Sequence, residues 1–209
     1  MILLAGLIYS AAFLSRCGPC VAPSTTQAII LVESAGEALA IGDNTLRKSF
    51  LPGTRSEAVG LAKELIARGH SVDLGLMQIN SCHLAHMRLS LNELFDPCRN
   101  VRAGTAILAD FYRQYPNQDP GLTLFNALSA YNTGRAWRGE SYVNRILAAA
   151  GVDYRVQFVP AGSAAAAAGT AVPEPIKKKK TKFKSSASPF FFKNTTTALT
   201  ARRGFATGR

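Results

Sequence analysis

The composition of this 209-residue chain changes sharply after Pro160. Residues 161–209 contain five consecutive alanines, a lysine run that begins at Lys177, and many Ser, Thr and Gly residues. Such a segment buries too little apolar surface to offset the entropy that is lost on ordering. We therefore predict a disordered basic tail over 161–209 and a single folded domain over 17–160, which is long enough to bury a core.

The tail also carries most of the net charge. The whole sequence has a net charge of +11, but residues 161–209 hold ten Lys or Arg residues against one acid, Glu174, so residues 1–160 carry only +2. Nucleic-acid binding is not favoured, because Phe183 is the only aromatic residue within the lysine run and aromatic residues for base stacking are few there. We expect the tail to be a solvated polycation that contacts anionic surfaces.

The first 16 residues allow two interpretations. Residues 1–14 have no charged side chain, yet they are fewer than the roughly 20 needed to span a bilayer. A signal peptide normally begins with a basic region, which is missing here. Apolar residues recur at helical spacing between Leu3 and Ala11. We expect a hydrophobic N-terminal helix over 1–16, with a poor export signal as the alternative.

Capping signals predict a mostly helical domain. Pro23 and Ser24 precede one apolar run, and Asp–Pro pairs at 96–97 and 119–120 are typical of helix starts. The predicted helices cover about 24–34, 57–68, 97–115, 120–131 and 140–150. Residues 37–55 are predicted to be loop, and 73–80 a small irregular or β segment, which together indicate a mostly α fold.

Glu33 stands out as a lone carboxyl at the end of a very apolar helix, since residues 28–32 are all apolar. Burial and the negative end of the helix dipole both disfavour the ionised form, so they predict a raised pKa. A carboxyl that is still protonated near neutral pH can act as a general acid. The alternative is that Glu33 turns toward solvent, as Glu residues at helix ends usually do.

Three further segments favour a functional role for Glu33. They are Gly-Leu-Met-Gln-Ile-Asn at 75–80, Ala-Tyr-Asn-Thr-Gly at 130–134, and Tyr142-Val143. Their amides and phenols are neutral hydrogen-bonding groups. Such groups around one carboxyl suit a polar, uncharged ligand such as a sugar.

These three segments and Glu33-Ser34, in this order and at these spacings, resemble the soluble lytic transglycosylase domain. Within that family the chain is most similar to the lytic transglycosylase component of type IV secretion and conjugation systems, also at 21–25 and at Asp73-Leu74. The resemblance covers roughly residues 10–150. It implies a lysozyme-like α+β fold with a groove for peptidoglycan glycan strands, a periplasmic location, and other secretion-system subunits as candidate partners.

The resemblance also implies a reaction that needs no cofactor. The family cleaves the bond between N-acetylmuramic acid and N-acetylglucosamine with one carboxyl, here Glu33. This group protonates the leaving oxygen and then takes the proton of the C6 hydroxyl that attacks C1, which gives a 1,6-anhydro sugar. The substrate's N-acetyl group is held to stabilise the intermediate, so no second carboxylate is needed, unlike in most glycosidases. Glu37 and Asp43 are accordingly interpreted as loop residues.

The same resemblance implies a set of substrate-binding residues. They are Ser34, Met77, Gln78, Asn80, Tyr131, Asn132 and Tyr142. Within this set, Met77 is expected to line the groove and Tyr142 to pack beside the site, and the others to contact sugar or orient the acid. The chain departs from the family at Gly36, where an aromatic is common, and at Ala38, where proline is common. These departures affect one sugar-stacking contact and leave the acid in place.

The four cysteines are Cys17, Cys20, Cys82 and Cys98. An even number in an exported protein predicts two disulfides, but sequence alone leaves all three pairings open. The resemblance implies the pairs Cys17–Cys98 and Cys20–Cys82.

Two other interpretations of the cysteines are less favoured. Residues 17–20 match a thioredoxin redox motif, Cys-Gly-Pro-Cys, but too few residues precede them to form that fold. A zinc site that uses these thiols lacks a second paired spacing, so no metal is expected. The histidines His70, His83 and His86 are interpreted as surface residues.

Two alternatives to a lytic transglycosylase remain at this point. One is a lysozyme-like muramidase that hydrolyses the same bond on the same fold. The other is a non-catalytic module that binds glycan or assembly partners. The products released from peptidoglycan distinguish all three.

Overall fold

The computed structural model describes residues 9–157 and 174–175. The helices are α1 (Ala11–Cys17), α2 (Pro23–Ser34), α3 (Arg55–Ala67), α4 (His83–Met87), α5 (Leu91–Leu94), α6 (Pro97–Gln114), α7 (Pro120–Thr133) and α8 (Glu140–Ala149). The strands are β1 (Ile41–Asp43), β2 (Lys48–Phe50), β3 (Val72–Leu74), β4 (Ile79–Asn80), β5 (Tyr154–Arg155) and β6 (Glu174–Pro175). The mostly α, lysozyme-like α+β class is confirmed.

Helices α6 and α7 begin where the capping residues predict. The side chains of Asp96 and Asp119 accept hydrogen bonds from backbone N–H groups in the first turns of α6 and α7. Helix α2 differs, because it begins at Pro23 with Ala22 as its N-cap. The helix therefore begins one residue before the predicted start at 24. Proline at the first helical position costs no hydrogen bond, since that N–H has no partner within a helix.

Helix α2 passes through the core. It packs against α1 and α8, while α6 packs against α7. Ile29 and Ile30 are fully buried, and burying one such side chain stabilises a fold by roughly 1.5–3 kcal/mol. The helix is buried up to its last turn, so Glu33 in that turn lies at the edge of the core rather than in open solvent.

A small antiparallel sheet with strand order β2-β1-β3-β4 lies beside the helices. Strands β3 and β4 form a hairpin over the segment predicted to be irregular or β, with Asp73 opposite Asn80. Strands β1 and β2 lie in residues 37–55, which we predicted to be loop. Each is three residues long, too short for an alternating pattern to be visible in the sequence.

Asp43 is not the loop residue that we expected. It ends β1, its side chain is buried, and Oδ1 accepts hydrogen bonds from the N–H groups of Thr45 and Leu46. The His70 Nδ1 atom lies 2.8 Å from Asp43 Oδ2, and the His70 side chain is only 16% exposed. The interpretation of His70 as a surface residue is therefore wrong, because it covers this buried carboxyl.

One disulfide links the N-terminal helix to the centre of the fold. Cys17 at the end of α1 is bonded to Cys98 at the start of α6, as the resemblance implied. The second implied pair, Cys20–Cys82, is not formed, and both of these cysteines are free. Cys20 precedes α2 and faces the backbone of α6, where its Sγ lies 3.9 Å from the Thr105 carbonyl, whereas Cys82 is exposed at the start of α4.

The two chain ends lie mostly outside the described residues. The helix expected over 1–16 is present from Ala11, and its Leu14 is buried. The tail expected over 161–209 is described only at Glu174–Pro175, where β6 pairs with β5, and the rest of that call lies outside the described residues. In the described part of the chain, no helix has the length and apolar character needed to cross a membrane.

Candidate active site

A cleft of about 540 Å³ opens between the sheet and the helices α6 and α7. Residues from six helices and strands (α2, α4, α6, α7, β3 and β4) line it, together with loop residues, among them those beside β1 and β3. The polar lining residues are Glu33, Asn44, Ser71, Asp73, Gln78, Asn80, His83, Tyr131 and Asn132. Glu33, Gln78, Asn80, Tyr131 and Asn132 of the predicted site are thus brought together.

Glu33 is held by a short hydrogen bond at one wall of this cleft. The Tyr142 hydroxyl donates to Glu33 Oε1 over 2.5 Å. Burial raises the pKa of Glu33 to about 7, although the Tyr142 hydrogen bond lowers it; the Asp73 charge raises it further and the Arg145 charge lowers it. A carboxyl with such a pKa is protonated in a large fraction of molecules near neutral pH and can still release its proton.

Tyr142 lies beneath the acid rather than in the cleft. Its side chain is buried, and the Arg145 guanidinium lies 5.7 Å from its ring centroid. Burial, with the Glu33 charge, raises the pKa of Tyr142 well above its ordinary value, so the hydroxyl stays a hydrogen-bond donor. Tyr142 was expected to pack beside the site, and it does so by holding the acid.

Ser34 ties the end of α2 to the segment 75–80. Its Oγ donates to the Leu76 carbonyl over 2.8 Å and lies 3.2 Å from the Ile30 carbonyl. It also accepts from the Gly36 N–H. The hydroxyl therefore fixes backbone next to the acid.

The segment 75–80 folds as a tight turn around a buried amide. Asn100 Oδ1 accepts from the Met77 N–H, and its Nδ2 donates to the carbonyls of Leu74 and Leu94. Gly75 has φ +74°, and a Cβ there would lie 2.3 Å from Asn100 Nδ2. Glycine is required at this position for both reasons. Asn100 was missed by the sequence reasoning, and an amide on the apolar face of α6 was its only signal.

Met77 does not line the groove, so that expectation is wrong. Its side chain is 0% exposed and packs against Gly104 of α6, where a Cβ would collide with its sulfur. Met77 contributes to the site through its backbone rather than its side chain. Its carbonyl accepts a 2.7 Å hydrogen bond from the Tyr131 hydroxyl, which locks α7 onto the turn.

A second carboxyl, Asp73, lies in the same cleft. Asn80 Nδ2 donates to its Oδ1 over 2.7 Å, and Asn44 Nδ2 donates to its Oδ2 over 2.8 Å. Sequence reasoning included Asp73 in a motif but assigned it no role. A signal was present, since Asp73 alternates with the buried residues Val72 and Leu74 and so must point to the opposite face of β3.

The groove continues on the other side of the acid. A second cleft of about 380 Å³ shares Glu33 and Gln78 with the first, and its far wall includes Ser49, Phe50 and Leu51 of β2 and the residue after it. Glu33 therefore lies midway along an extended groove, a shape that suits a polymer. His83, which we interpreted as a surface residue, lines the first cleft. Among the described residues, no cluster of three or more His, Cys, Asp or Glu side chains is placed to hold a metal ion.

A lysozyme-like helical fold with one half-buried, readily protonated carboxyl along a polar groove defines an enzyme that cleaves glycan chains. Residues 15–143 match the model of the transglycosylase SLT domain. The chain belongs to this family of lytic transglycosylases.

Several relatives share the sequence, two of them over most of this length and one over a shorter part. The chain is 35% identical over 176 residues to the type IV secretion system protein virB1 of Brucella suis, which covers 78% of this chain and 74% of the relative. It is 35% identical over 141 residues to protein virB1 of Agrobacterium fabrum, covering 66% and 58%. The invasion protein IagB of Salmonella typhi is 41% identical over 71 residues, covering 32% and 41%. No solved structure matches the chain.

Proposed function

We propose that this lytic transglycosylase cleaves the β-1,4 bond between N-acetylmuramic acid and N-acetylglucosamine in peptidoglycan, with Glu33 as both acid and base. The observation that carries the proposal is the position of Glu33, half-buried at its helix end and open to both halves of the groove. Its pKa of about 7 allows the same group to give a proton and to take one back.

The reaction has two steps. In the first, Glu33 protonates the glycosidic oxygen, the bond from C1 to that oxygen breaks, and the leaving sugar departs as an alcohol. In the second, the C6 hydroxyl attacks C1 while its proton passes to the Glu33 carboxylate, which restores the acid. Because Tyr142 holds Oε1, we assign both proton transfers to Oε2. The Tyr142 hydrogen bond stabilises the carboxylate that exists between the steps.

Four residues are proposed to bind the glycan: Gln78, Asn80, Tyr131 and Asn132. All line the first cleft beside Glu33. Asn132 is exposed there, whereas Gln78 and Tyr131 already bond to backbone carbonyls and so present rigid edges to a sugar. Ser34, Met77 and Tyr142 are proposed to position these groups and the acid rather than to contact substrate.

Hydrolysis of the same bond is the second candidate reaction, because Asp73 gives the cleft a second carboxylate, as in lysozyme-like hydrolases. Mass spectrometry of the muropeptides released from purified sacculi distinguishes the two. A transglycosylase leaves 1,6-anhydro ends, which are lighter by one water than the reducing ends left by hydrolysis. We expect anhydro ends to predominate, and mainly reducing ends would contradict the proposal. A non-catalytic module would release neither.

The biological setting is proposed from the relatives. Two of them carry the name virB1, and one is named as a type IV secretion system protein. We propose that the enzyme acts in the periplasm and opens the wall locally for such an apparatus, with other subunits as partners. The catalytic domain is proposed to span 17–160, and the basic residues of 161–209 to contact anionic surfaces.

A further inference from the structure

The loop between α7 and α8, residues 134–139, has features that the proposed reaction does not use. It adjoins the first cleft, because Gly134 is part of the cleft lining. Its Trp137 is 47% exposed, and Arg135 and Arg138 on the same loop are also exposed. Tryptophan and arginine are the residue types that contribute most to binding energy at interfaces. The loop therefore has the composition of a binding surface beside the active site.

Buried hydrogen bonds fix the conformation of this loop. Ser129 of α7 is 0% exposed, and its Oγ donates to the Arg135 carbonyl over 2.9 Å. The same oxygen accepts from the N–H groups of Arg138 and Gly139 over 3.0 and 2.8 Å. A Cβ at Gly139 would lie 2.9 Å from the Ser129 Cα, so the loop packs closely against α7. The backbone is thus anchored on both sides of Trp137.

Trp137 has a backbone conformation that bulky residues rarely adopt. Its φ is +67°, in the left-handed region that favours glycine. Conformations of this kind persist where the surrounding structure enforces them, and they cluster at active sites and ligand clamps. Because glycine would meet the backbone requirement more easily, the advantage of tryptophan at this position lies in its side chain.

The position and charge of the loop indicate which part of the substrate it fits. Trp137 follows Gly134 by three residues, so its Cα lies within about 11 Å of that cleft residue. A peptidoglycan strand bears a peptide stem on the lactyl group of its muramic residues. The stem carries several carboxylates and aliphatic side chains, whereas the sugar rings are uncharged. Guanidinium groups bind carboxylates, and an indole ring packs against aliphatic and amide groups.

We propose that residues 135–138 bind the peptide stem of a muramic residue held in the cleft, with Arg135 and Arg138 on its carboxylates and Trp137 against its aliphatic groups. This inference rests on the proposed function and extends the substrate from the glycan to its stem. No bond in the stem forms or breaks. The contacts hold the strand in register with Glu33, so they act on KM, and the enzyme prefers strands that carry stems.

Intrinsic fluorescence tests the contact directly, because Trp137 is the single tryptophan of the chain. The whole protein is titrated with the anhydro disaccharide of peptidoglycan, either with a tetrapeptide stem or without one. We expect a saturable change in emission with the stem-bearing form, and a much smaller change once the stem carboxylates are amidated. Equal changes with and without the stem, or no change with it, would overturn the proposal.

Kinetics test the two arginines. The ratio of KM for strands stripped of stems by an amidase to KM for intact strands is measured for the wild type and for Arg135→Ala/Arg138→Ala. The matched control, Arg68→Ala/Arg102→Ala, removes two exposed arginines elsewhere. We expect a ratio on the order of fivefold in the wild type and the control, as for two partly exposed charge pairs, and close to one in the loop variant. A loop variant with the wild-type ratio would overturn the proposal.

Trp137→Gly separates binding from a structural role. Glycine accepts the positive φ, so this variant should unfold thermally at about the wild-type temperature. We expect it to lose part of the KM ratio, while Trp137→Tyr, which keeps an aromatic ring, retains more of it. A marked loss of stability in Trp137→Gly together with an unchanged ratio would assign the indole to the fold and overturn its proposed contact. Absence of anhydro products from both kinds of strand would instead refute the proposed function.

Discussion

The ionised form of Glu33 destabilises the folded protein. The pKa of this carboxyl is about 7 in the fold against an ordinary value of 4.5. Between these pH values the folded state keeps a proton that the unfolded chain has lost, so stability falls as pH rises from 4.5 to 7. The whole difference corresponds to at most about 3 kcal/mol.

This linkage predicts that Glu33→Gln is more stable than the wild type at pH 8 but not at pH 4.5. Glutamine keeps the shape and an acceptor for Tyr142, and it has no proton to lose. Urea unfolding at the two pH values measures the difference in the free energy of unfolding. Glu64→Gln, an exposed change on α3, is the control and should show no such dependence. An equal Glu33→Gln effect at both pH values would refute the linkage.

The sequence predicts part of this residue-scale chemistry. The apolar run 28–32 predicts a raised pKa for Glu33 through burial, and burial is its main cause in the structure. The hydrogen bond from Tyr142 comes from a residue 109 positions later in the chain. No local pattern predicts such a contact. The alternation in β3 indicates on which face Asp73 lies, but it does not predict that its charge acts on Glu33.

A few buried hydrogen bonds between secondary structure elements position the active-site residues. The side chain of Asn100 on α6 makes three of them. This side chain is 1% exposed and holds the backbone of β3, α5 and the turn before β4. Helix starts were predictable because capping residues act locally. Strands β1 and β2 were not, since three residues are too few to show an alternating pattern and β1 also depends on its pairing with the more distant β3.

Asn100→Ala should destabilise the fold by about 2–4 kcal/mol, because three buried backbone groups lose their partner. The turn that carries Gln78 should shift, so kcat should fall as well. Urea unfolding and glycan cleavage measure both effects. Asn92→Ala is the control, because that side chain is exposed and only its backbone carbonyl is used, by Arg55. A loss of stability no larger than in Asn92→Ala would contradict this role.

The disulfide gives a second prediction at this scale. Cys17 and Cys98 are separated by 81 positions, and removing a bond that closes such a loop typically costs about 2–5 kcal/mol. The Cys17→Ser/Cys98→Ser double variant should lose this amount in urea unfolding, while Cys20→Ser/Cys82→Ser should retain its disulfide. Thiol titration of unfolded, unreduced wild-type protein should find two thiols per chain. Finding four would refute the pairing.

At the scale of the whole molecule, charge and chemistry are separated. The net charge of +9 belongs to residues 161–209, whereas the described lining of the groove runs from Leu31 to Gly134 in the sequence. The composition break at Pro160 predicts a division into a catalytic domain and a basic tail. It could not predict the short pairing of β6 with β5, which depends on contacts between distant residues.

Deleting residues 161–209 should leave cleavage of soluble glycan strands within about twofold of the wild type. Binding to anionic vesicles should weaken, and the salt dependence of that binding should largely disappear, because exposed charges are screened by salt. Steady-state kinetics and vesicle sedimentation at low and high salt measure the two properties. Loss of glycan cleavage in the truncated protein would show that the tail takes part in catalysis.

The central claim is that Glu33 supplies the proton for bond cleavage. It is tested most directly by the rate of anhydro-muropeptide release from sacculi by the wild type and by Glu33→Gln, each measured from pH 4 to 9. We predict that the wild-type kcat/KM declines as pH rises through about 7, the pKa of Glu33, and that folded Glu33→Gln releases no anhydro product at any pH. Release by Glu33→Gln at the wild-type rate would contradict the account.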